Sequence, residues 1–234
     1  FTVAHGVWLD DDDMKRLGDH GSSVAHNPGS NMRLGNGLAD VRNMLARKVN
    51  VGIGTDGANC ADNLNMFEAM RLASFASKVQ GPDTERWLTT TEVLEAATLG
   101  SARALGFTDQ IGKIATGYKA DIVFVDTTHP NWLPFNNPTN QLIHTEDGNA
   151  VNSVMVGGKL VVENRKPCNA DLAALARKVE EARDRLERAN RGNKALYDRL
   201  EGLGCPDRAR GGRTQGRAGE APRTAPRVGA GSQR

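Results

Sequence analysis

The stretch that most constrains this chain runs from Val51 to Asn59 and reads VGIGTDGAN. It begins as a short apolar run, which is typical of a buried strand, and it ends in a glycine-rich turn that contains Asp56. In a parallel α/β fold the carboxyl end of a strand is the functional face, so this position favours Asp56 as an acid that meets a ligand. Aspartate is also a favoured helix N-cap, and the alternative is that Asp56 only caps the helix that follows.

Two upstream stretches repeat this pattern. One apolar run ends at His5 and a second ends at His26, each followed by a glycine or a proline within two residues. Segments that read as helices, 10–18 and 37–48, separate the runs. Strands that alternate with helices predict a parallel sheet, so the two histidines and Asp56 should converge at one edge. A single histidine is more often structural, but three polar residues at equivalent places indicate a site.

Three motifs resemble the second half of an amidohydrolase-superfamily enzyme: AHGVWL at 4–9, HNPGSNMRLGNG at 26–37 and GTDGANCADN at 54–63. The similar branch includes triazine chlorohydrolases and aminohydrolases, guanine deaminase, and the methylthioadenosine/S-adenosylhomocysteine deaminases. The resemblance implies an α/β fold, a distorted TIM barrel beside a small β-sandwich. This chain would hold barrel strands six to eight, part of the sandwich and a C-terminal helix.

The same resemblance implies roles for individual residues. Asp56 would bind one divalent metal ion, zinc or iron, and would accept a proton from the water that the metal activates. His5 would be catalytic and would hydrogen-bond the attacking water or the reacting group of the substrate. His26 would line the substrate pocket or orient its neighbours. The loop after His26 supplies further candidate substrate-binding residues: Asn27, Ser30, Asn31 and Arg33.

The reaction that the resemblance implies is hydrolytic deamination of an amino-heterocycle. The substrate would be an adenosine-derived, purine, pyrimidine or triazine compound, and ammonia would leave as an oxo group forms. The HNP motif and the glycine after Asp56 favour the methylthioadenosine/S-adenosylhomocysteine type. Two alternatives remain: a chlorohydrolase that releases halide from a triazine-like ring, and a truncated, inactive fragment.

The remaining metal ligands of the family have no counterpart in this sequence. The family supplies a His-x-His pair from strand one and a histidine from strand five, and no His-x-His occurs here. A catalytic zinc site needs three protein ligands, which Asp56 cannot supply alone. We therefore expect the chain to be the C-terminal part of a longer enzyme, without barrel strands one to five, and to be inactive by itself.

The sequence predicts that the chain consists of four segments. A barrel part spans 1–107, a β-sandwich segment spans 108–168, a charged C-terminal helix spans 169–204, and a disordered tail rich in Arg, Gly and Pro spans 205–234. Within the sandwich segment, Gly157-Gly158 predicts the turn of a β-hairpin.

Composition and charge give little information on function. The net charge of +2 is small and gives no reason to expect nucleic acid or a membrane as a partner. The three cysteines have no paired spacing, so neither a disulfide framework nor a zinc knuckle is indicated. We expect a cytoplasmic protein with a small-molecule substrate, and the resemblance allows a homo-oligomer.

Overall fold

The computed structural model describes residues 1–201, and the tail predicted for 205–234 lies outside the described residues. The chain divides into two units, Phe1–Ala170 and a second unit that begins at Asp171. The first unit contains two β-sheets, one parallel and one antiparallel. Within residues 1–201, no helix is long and apolar enough to cross a membrane.

The first sheet has three parallel strands in the order β1-β2-β3. Their bounds are β1 (Thr2–Ala4), β2 (Ser23–His26) and β3 (Asn50–Ile53). Ser23 lies opposite both Thr2 and Asn50, so the strands run level with one another. The predicted alternation of strands and helices is confirmed, and the carboxyl ends of all three strands meet at one edge of the sheet.

The helices of this part are α1 (Asp11–Asp19), α2 (Pro28–Arg33), α3 (Val41–Ala46), α4 (Ala58–Ala61) and α5 (Met66–Lys78). The helix predicted over 37–48 is shorter, because Asp40 caps it by accepting a hydrogen bond from the backbone N–H of Asn43. The prediction of a loop after His26 is wrong. Those residues form α2, because proline at the first helical position is pre-organised for a helix start.

A longer helical stretch packs against β3. Thr89 and Glu92 form a capping box at its start. The stretch consists of α6 (Thr90–Glu95), a π-helical turn (Ala96–Gly100) and α7 (Ser101–Ala104). Gly100 approaches the strand so closely that a Cβ atom there would overlap the carbonyl oxygen of Val51. The absence of a side chain at residue 100 therefore sets the distance between this helix and the sheet.

The apolar core of the first unit lies between the parallel sheet and its helices. Buried side chains come from strands and helices alike and include Val24, Met44, Val51, Met70 and Val93. Full burial of an aliphatic side chain of this size contributes about 1.5–3 kcal/mol. The core therefore holds the strands in register and fixes where their ends lie.

The second sheet is antiparallel, in the order β4-β5-β6-β7. Its strands are β4 (Ile122–Val125), β5 (Val151–Val156), β6 (Lys159–Glu163) and β7 (Lys166–Pro167), and α8 (Pro138–His144) lies between β4 and β5 in the chain. The predicted hairpin is confirmed, because Gly157 and Gly158 join β5 to β6 with φ angles of 55° and 82°. Positive φ at both turn positions is the reason that glycine is required there.

The second unit begins with a helix, α9 (Leu172–Ala189), which Asp171 caps. The sequence predicts a single helix over 169–204, but this stretch is not one continuous helix. A 3₁₀ turn separates α9 from a further helix, α10 (Lys194–Glu201). The side chain of Asn190 donates a hydrogen bond to the Leu186 carbonyl, and Gly192 follows, so two weak helix formers interrupt the helix.

An ion pair connects α3 with α6. The guanidinium of Arg42 donates to both carboxylate oxygens of Glu92, at 2.7 and 2.8 Å. This guanidinium, with smaller contributions from Thr89, lowers the pKa of Glu92 from 4.5 to about 2. Because the pKa is lower in the folded state, the pair stabilises the fold above pH 4.5 and that stabilisation is lost as the pH falls toward 2.

We predict that Gly100→Ala destabilises the chain by about 1–3 kcal/mol, because the added methyl group collides with the backbone of Val51. Gly81→Ala is the matched control, since a Cβ atom at residue 81 meets no atom within 4 Å. Urea denaturation followed by circular dichroism measures both variants. Equal stability of the two variants would contradict the close helix–strand approach.

We predict that Glu92→Gln lowers the free energy of unfolding by about 1–2 kcal/mol at neutral pH. The difference from the unmodified chain should disappear between pH 4.5 and about pH 2, where Glu92 itself becomes protonated. Denaturation curves across this range test it. Glu95→Gln is the control, because the side chain of Glu95 forms an exposed ion pair with Arg103 at 3.6 Å. A pH-independent difference would argue against the ion pair.

Candidate catalytic and metal site

The candidate site lies at the carboxyl ends of the three parallel strands. His5 directly follows β1, His26 is the last residue of β2, and Asp56 lies in the turn after β3. Because the strands run level, the three residues lie at one edge of the sheet, as the sequence predicts. The side chains of His5 and Asp56 come together there, whereas His26 turns into the interior.

Asp56 is held by hydrogen bonds to both carboxylate oxygens. The hydroxyl of Ser30 donates to Oδ2 at 2.6 Å, and the backbone N–H of Gly57 donates to Oδ1 at 2.7 Å. The residue has a φ of 62°, which is uncommon for a non-glycine residue and indicates that the local fold imposes the turn. The alternative of Asp56 as a helix cap is wrong, because Gly57 is the N-cap residue of α4.

The surroundings of Asp56 keep its carboxyl group ionised. The Ser30 hydroxyl, and after it the Gly57 N–H, lower the pKa of Asp56 below its usual value. The side chain is 27% exposed, so the carboxylate remains accessible from solvent. An ionised, accessible carboxylate can bind a cation or accept a proton.

His5 faces Asp56 across a short gap. Its Nε2 atom lies 3.7 Å from Asp56 Oδ2, which is longer than a direct hydrogen bond, and its side chain is 35% exposed. Its Nδ1 atom lies 2.8 Å from the side-chain oxygen of Asn31. His5 has a φ of 68°, and its backbone N–H donates to the Ala25 carbonyl. The backbone and one ring nitrogen are thus fixed, while the other ring nitrogen faces the carboxylate.

His26 is 2% exposed, and neither of its ring nitrogens has a hydrogen-bond partner among residues 1–201. Burial lowers the pKa of His26 to about 4, so the ring is neutral at neutral pH. Its backbone carbonyl accepts a hydrogen bond from the N–H of Gly54 at 2.9 Å. His26 therefore anchors the turn that precedes Asp56 through its backbone.

The four candidate substrate-binding residues after His26 divide into two kinds. Asn27, Ser30 and Asn31 are buried, and each makes a hydrogen bond within the protein. Arg33 is exposed and forms an ion pair with Asp62, just beyond α4. Their assignment as substrate ligands stays a prediction.

Glycine at residue 54 allows the ends of β2 and β3 to come together. A Cβ atom at this position would overlap the side-chain oxygen of Asn27. Asn27 is itself fixed, because its amide donates to the Ala25 carbonyl at 3.0 Å. The turn that contains Asp56 is therefore seated directly on the start of α2.

The residues present fit one side of a metal site. Carboxylate oxygen and imidazole nitrogen are both zinc ligands, and Asp56 is ionised and accessible. Among residues 1–201, however, no three His, Cys, Asp or Glu side chains form a group that could hold a metal ion. The described residues thus supply a partial ligand set.

Sequence reasoning missed the contacts that Ser30 and Asn31 make with Asp56 and His5. It placed both residues in a loop and assigned them to the substrate. The Asn-Pro pair after His26 is a signal for a helix start and could have located α2. The partners of the two side chains depend on tertiary packing and have no local signal.

Comparison with known proteins identifies the family of the chain. A model of the amidohydrolase family matches residues 1–161. The chain belongs to the amidohydrolase family. It is 38% identical over 186 residues to the 5-methylthioadenosine/S-adenosylhomocysteine deaminase of Acetivibrio thermocellus, covering 80% of this chain and 43% of the relative. It is 34% identical to the 5'-deoxyadenosine deaminase of Methanobrevibacter smithii, covering 81% of this chain and 44% of the relative.

Solved amidohydrolase structures share the fold. An adenosine deaminase from Xanthomonas campestris with bound zinc superposes with a TM-score of 0.77 at 34% identity, covering 80% of this chain and 42% of that protein. Atrazine chlorohydrolase from Arthrobacter aurescens, complexed with zinc, gives a TM-score of 0.73 at 32% identity, covering 77% and 40%. The α/β class is confirmed and the likeness implies a TIM-barrel-like fold. The chain spans about two fifths of the length of these relatives.

We predict that Ser30→Ala raises the pKa of Asp56 toward its usual value, because it removes the hydroxyl that lowers this pKa most. Carbon-13 NMR titration of the aspartate carboxyl groups measures the change. Ser22→Ala is the matched control, since Ser22 is equally buried and its hydroxyl has no partner among the described residues. An Asp56 pKa that does not respond to Ser30→Ala would contradict the assigned hydrogen bond.

Proposed function

We propose that the residues of this chain form the proton-transfer side of an active site for hydrolytic deamination of an adenosine-derived nucleoside. The observation behind the proposal is the pairing of an ionised Asp56 with His5 at the strand ends of an amidohydrolase-family fold. Two relatives whose names give methylthioadenosine, S-adenosylhomocysteine or 5'-deoxyadenosine as substrate support the substrate class.

In this proposal Asp56 would help to hold one divalent metal ion, zinc in the first instance, and would accept a proton from the attacking water. A bound divalent metal ion lowers the pKa of water from about 16 to roughly 7. Ser30 and Gly57 hold the Asp56 carboxylate in its ionised form, ready to take the proton. His5 hydrogen-bonds the attacking water or the reacting group of the substrate.

The reaction balances with water as the only co-reactant. The water oxygen bonds to the ring carbon that bears the amino group, and Asp56 takes one proton. That proton then passes to the amino nitrogen, the carbon–nitrogen bond breaks, and ammonia leaves. The second proton of the water moves from the new hydroxyl group to the neighbouring ring nitrogen, which gives the oxo compound.

The second candidate is release of halide from a triazine-like ring. The likeness to atrazine chlorohydrolase, with 32% identity, favours it. The same pair of side chains would serve, because water again attacks an electron-poor ring carbon and only the leaving group differs. The named deaminase relatives make deamination the first choice.

The remaining assignments belong to this proposal. We assign β1, β2 and β3 to strands six to eight of the barrel, and residues 108–168 to a β-sandwich segment that follows a barrel part at 1–107. The other metal ligands come from polypeptide beyond the described residues, so the chain alone is inactive. We also propose that the protein is cytoplasmic. We propose a homo-oligomer as its assembly.

The test uses the complete open reading frame that contains this chain. Ammonia release from 5'-methylthioadenosine, S-adenosylhomocysteine and 5'-deoxyadenosine is measured with bound zinc, together with chloride release from atrazine. Asp56→Asn should lower kcat by about 10²–10⁴-fold, because it removes both the metal ligand and the proton acceptor. Asp19→Asn is the control, a surface carboxylate that pairs with Lys15.

Three outcomes decide the proposal. Deamination that depends on Asp56 supports it. Chloride release without deamination favours the second candidate. Full turnover by Asp56→Asn, or no turnover of any of these compounds by a zinc-loaded protein, overturns it.

A further inference from the structure

Asn31 is an unusual residue for a helix interior, because it is polar and only 1% exposed. Its side-chain oxygen lies 2.8 Å from Nδ1 of His5, a residue 26 positions away in the chain. Its side-chain nitrogen has no partner among residues 1–201. A buried amide that satisfies only part of its hydrogen-bonding capacity costs stability, so its presence at this position needs an explanation.

The contact with Asn31 bears on which nitrogen of His5 carries the proton. An amide oxygen accepts hydrogen bonds and cannot donate them, so the ring nitrogen that faces it must be protonated. In a neutral imidazole the other nitrogen, Nε2, is then a bare acceptor. Nε2 is the atom that faces Asp56 Oδ2 at 3.7 Å. Two hydrogen-bond acceptors, His5 Nε2 and Asp56 Oδ2, therefore face each other across the gap. A group with N–H or O–H donors could bind between them.

We propose that Asn31 is a positioning residue that holds His5 as the Nδ1–H tautomer, so that Nε2 accepts a hydrogen bond from the attacking water. The inference rests on the proposed function for the catalytic assignment of His5. His5 has two possible roles: a hydrogen bond to the attacking water, or one to the reacting group of the substrate. A neutral ring with an unprotonated Nε2 can accept a hydrogen bond from the water but cannot donate one to the substrate, so the proposal selects the first role. It also replaces the prediction that Asn31 contacts the substrate, which its burial disfavours.

The backbone of Asn31 is fixed by its place in α2 and by two hydrogen bonds, which suits a positioning role. It lies in α2, next to Ser30, which hydrogen-bonds Asp56. Its backbone N–H donates to the Asn27 carbonyl at 3.0 Å, and its own carbonyl accepts from the N–H of Asn36 at 2.8 Å. Two consecutive buried residues of one helix therefore each hold one of the two facing side chains.

The direct test is nitrogen-15 NMR of the chain with labelled histidine imidazoles, at a pH above the titration of the rings. His5→Gln identifies the signals of residue 5. We expect a protonated Nδ1 and a bare Nε2 in the unmodified chain. Asn31→Leu should move the tautomer ratio toward Nε2–H by at least about fivefold, because the hydrogen bond that favours Nδ1–H is lost.

Two variants separate positioning from a general loss of structure. Asn31→Asp keeps an oxygen acceptor and should retain the Nδ1–H tautomer. Asn50→Ala should leave the tautomer unchanged, although it removes two hydrogen bonds that the partly buried Asn50 side chain donates to Ser23 and Gly100. An Nε2–H tautomer in the unmodified chain overturns the proposal even if the Asn31 variants fail to fold. An unchanged ratio in Asn31→Leu overturns it as well.

Kinetics of the complete zinc-loaded protein provide a second readout. Asn31→Leu should lower kcat about 10-fold or more with little change in KM, and Asn31→Asp should recover part of the loss. A raised KM with an unchanged kcat would indicate a substrate contact and would overturn the proposal. If Asp56→Asn keeps full turnover, the proposed function fails, whereas the tautomer measurement still decides the role of Asn31.

Discussion

The parallel register of β1, β2 and β3 is the constraint on which the candidate site depends. Because Ser23 lies opposite both Thr2 and Asn50, the three strands end level with one another, and residues that follow them share one edge. Close backbone approaches preserve this arrangement. Gly100 lets the helical stretch lie against β3, and Gly54 lets the turn before Asp56 lie on Asn27. A side chain at either glycine would separate elements that must touch.

On this frame, α2 holds the two candidate catalytic side chains in place. The Ser30 hydroxyl holds the Asp56 carboxylate and lowers its pKa, while the side-chain oxygen of Asn31 contacts Nδ1 of His5. Both supporting residues are buried, and both supported side chains remain partly exposed. The arrangement separates reactive groups from the groups that orient them, which is how a site keeps its geometry while staying open to a ligand.

Much of the fold could be predicted from local patterns, because apolar runs and turn residues are read within a few positions. The strand ends at His5, His26 and Asp56, the capping box at Thr89 and the glycine hairpin all have such local signals. The partners of Ser30 and Asn31 could not be predicted, since each lies 26 residues away and depends on tertiary packing. The burial of the His26 side chain could not be predicted either. It depends on which face of β2 packs against the core, and His26 lies on the buried face.

We propose that Asp56 is a metal ligand that this chain contributes, with His5 beside it. A crystal structure of the complete zinc-loaded protein, with the metal located by its anomalous scattering, tests this claim most directly. The account predicts a carboxylate oxygen of Asp56 at about 2.0–2.2 Å from the zinc ion, with the Ser30 hydrogen bond retained. A zinc ion bound without Asp56 would contradict it.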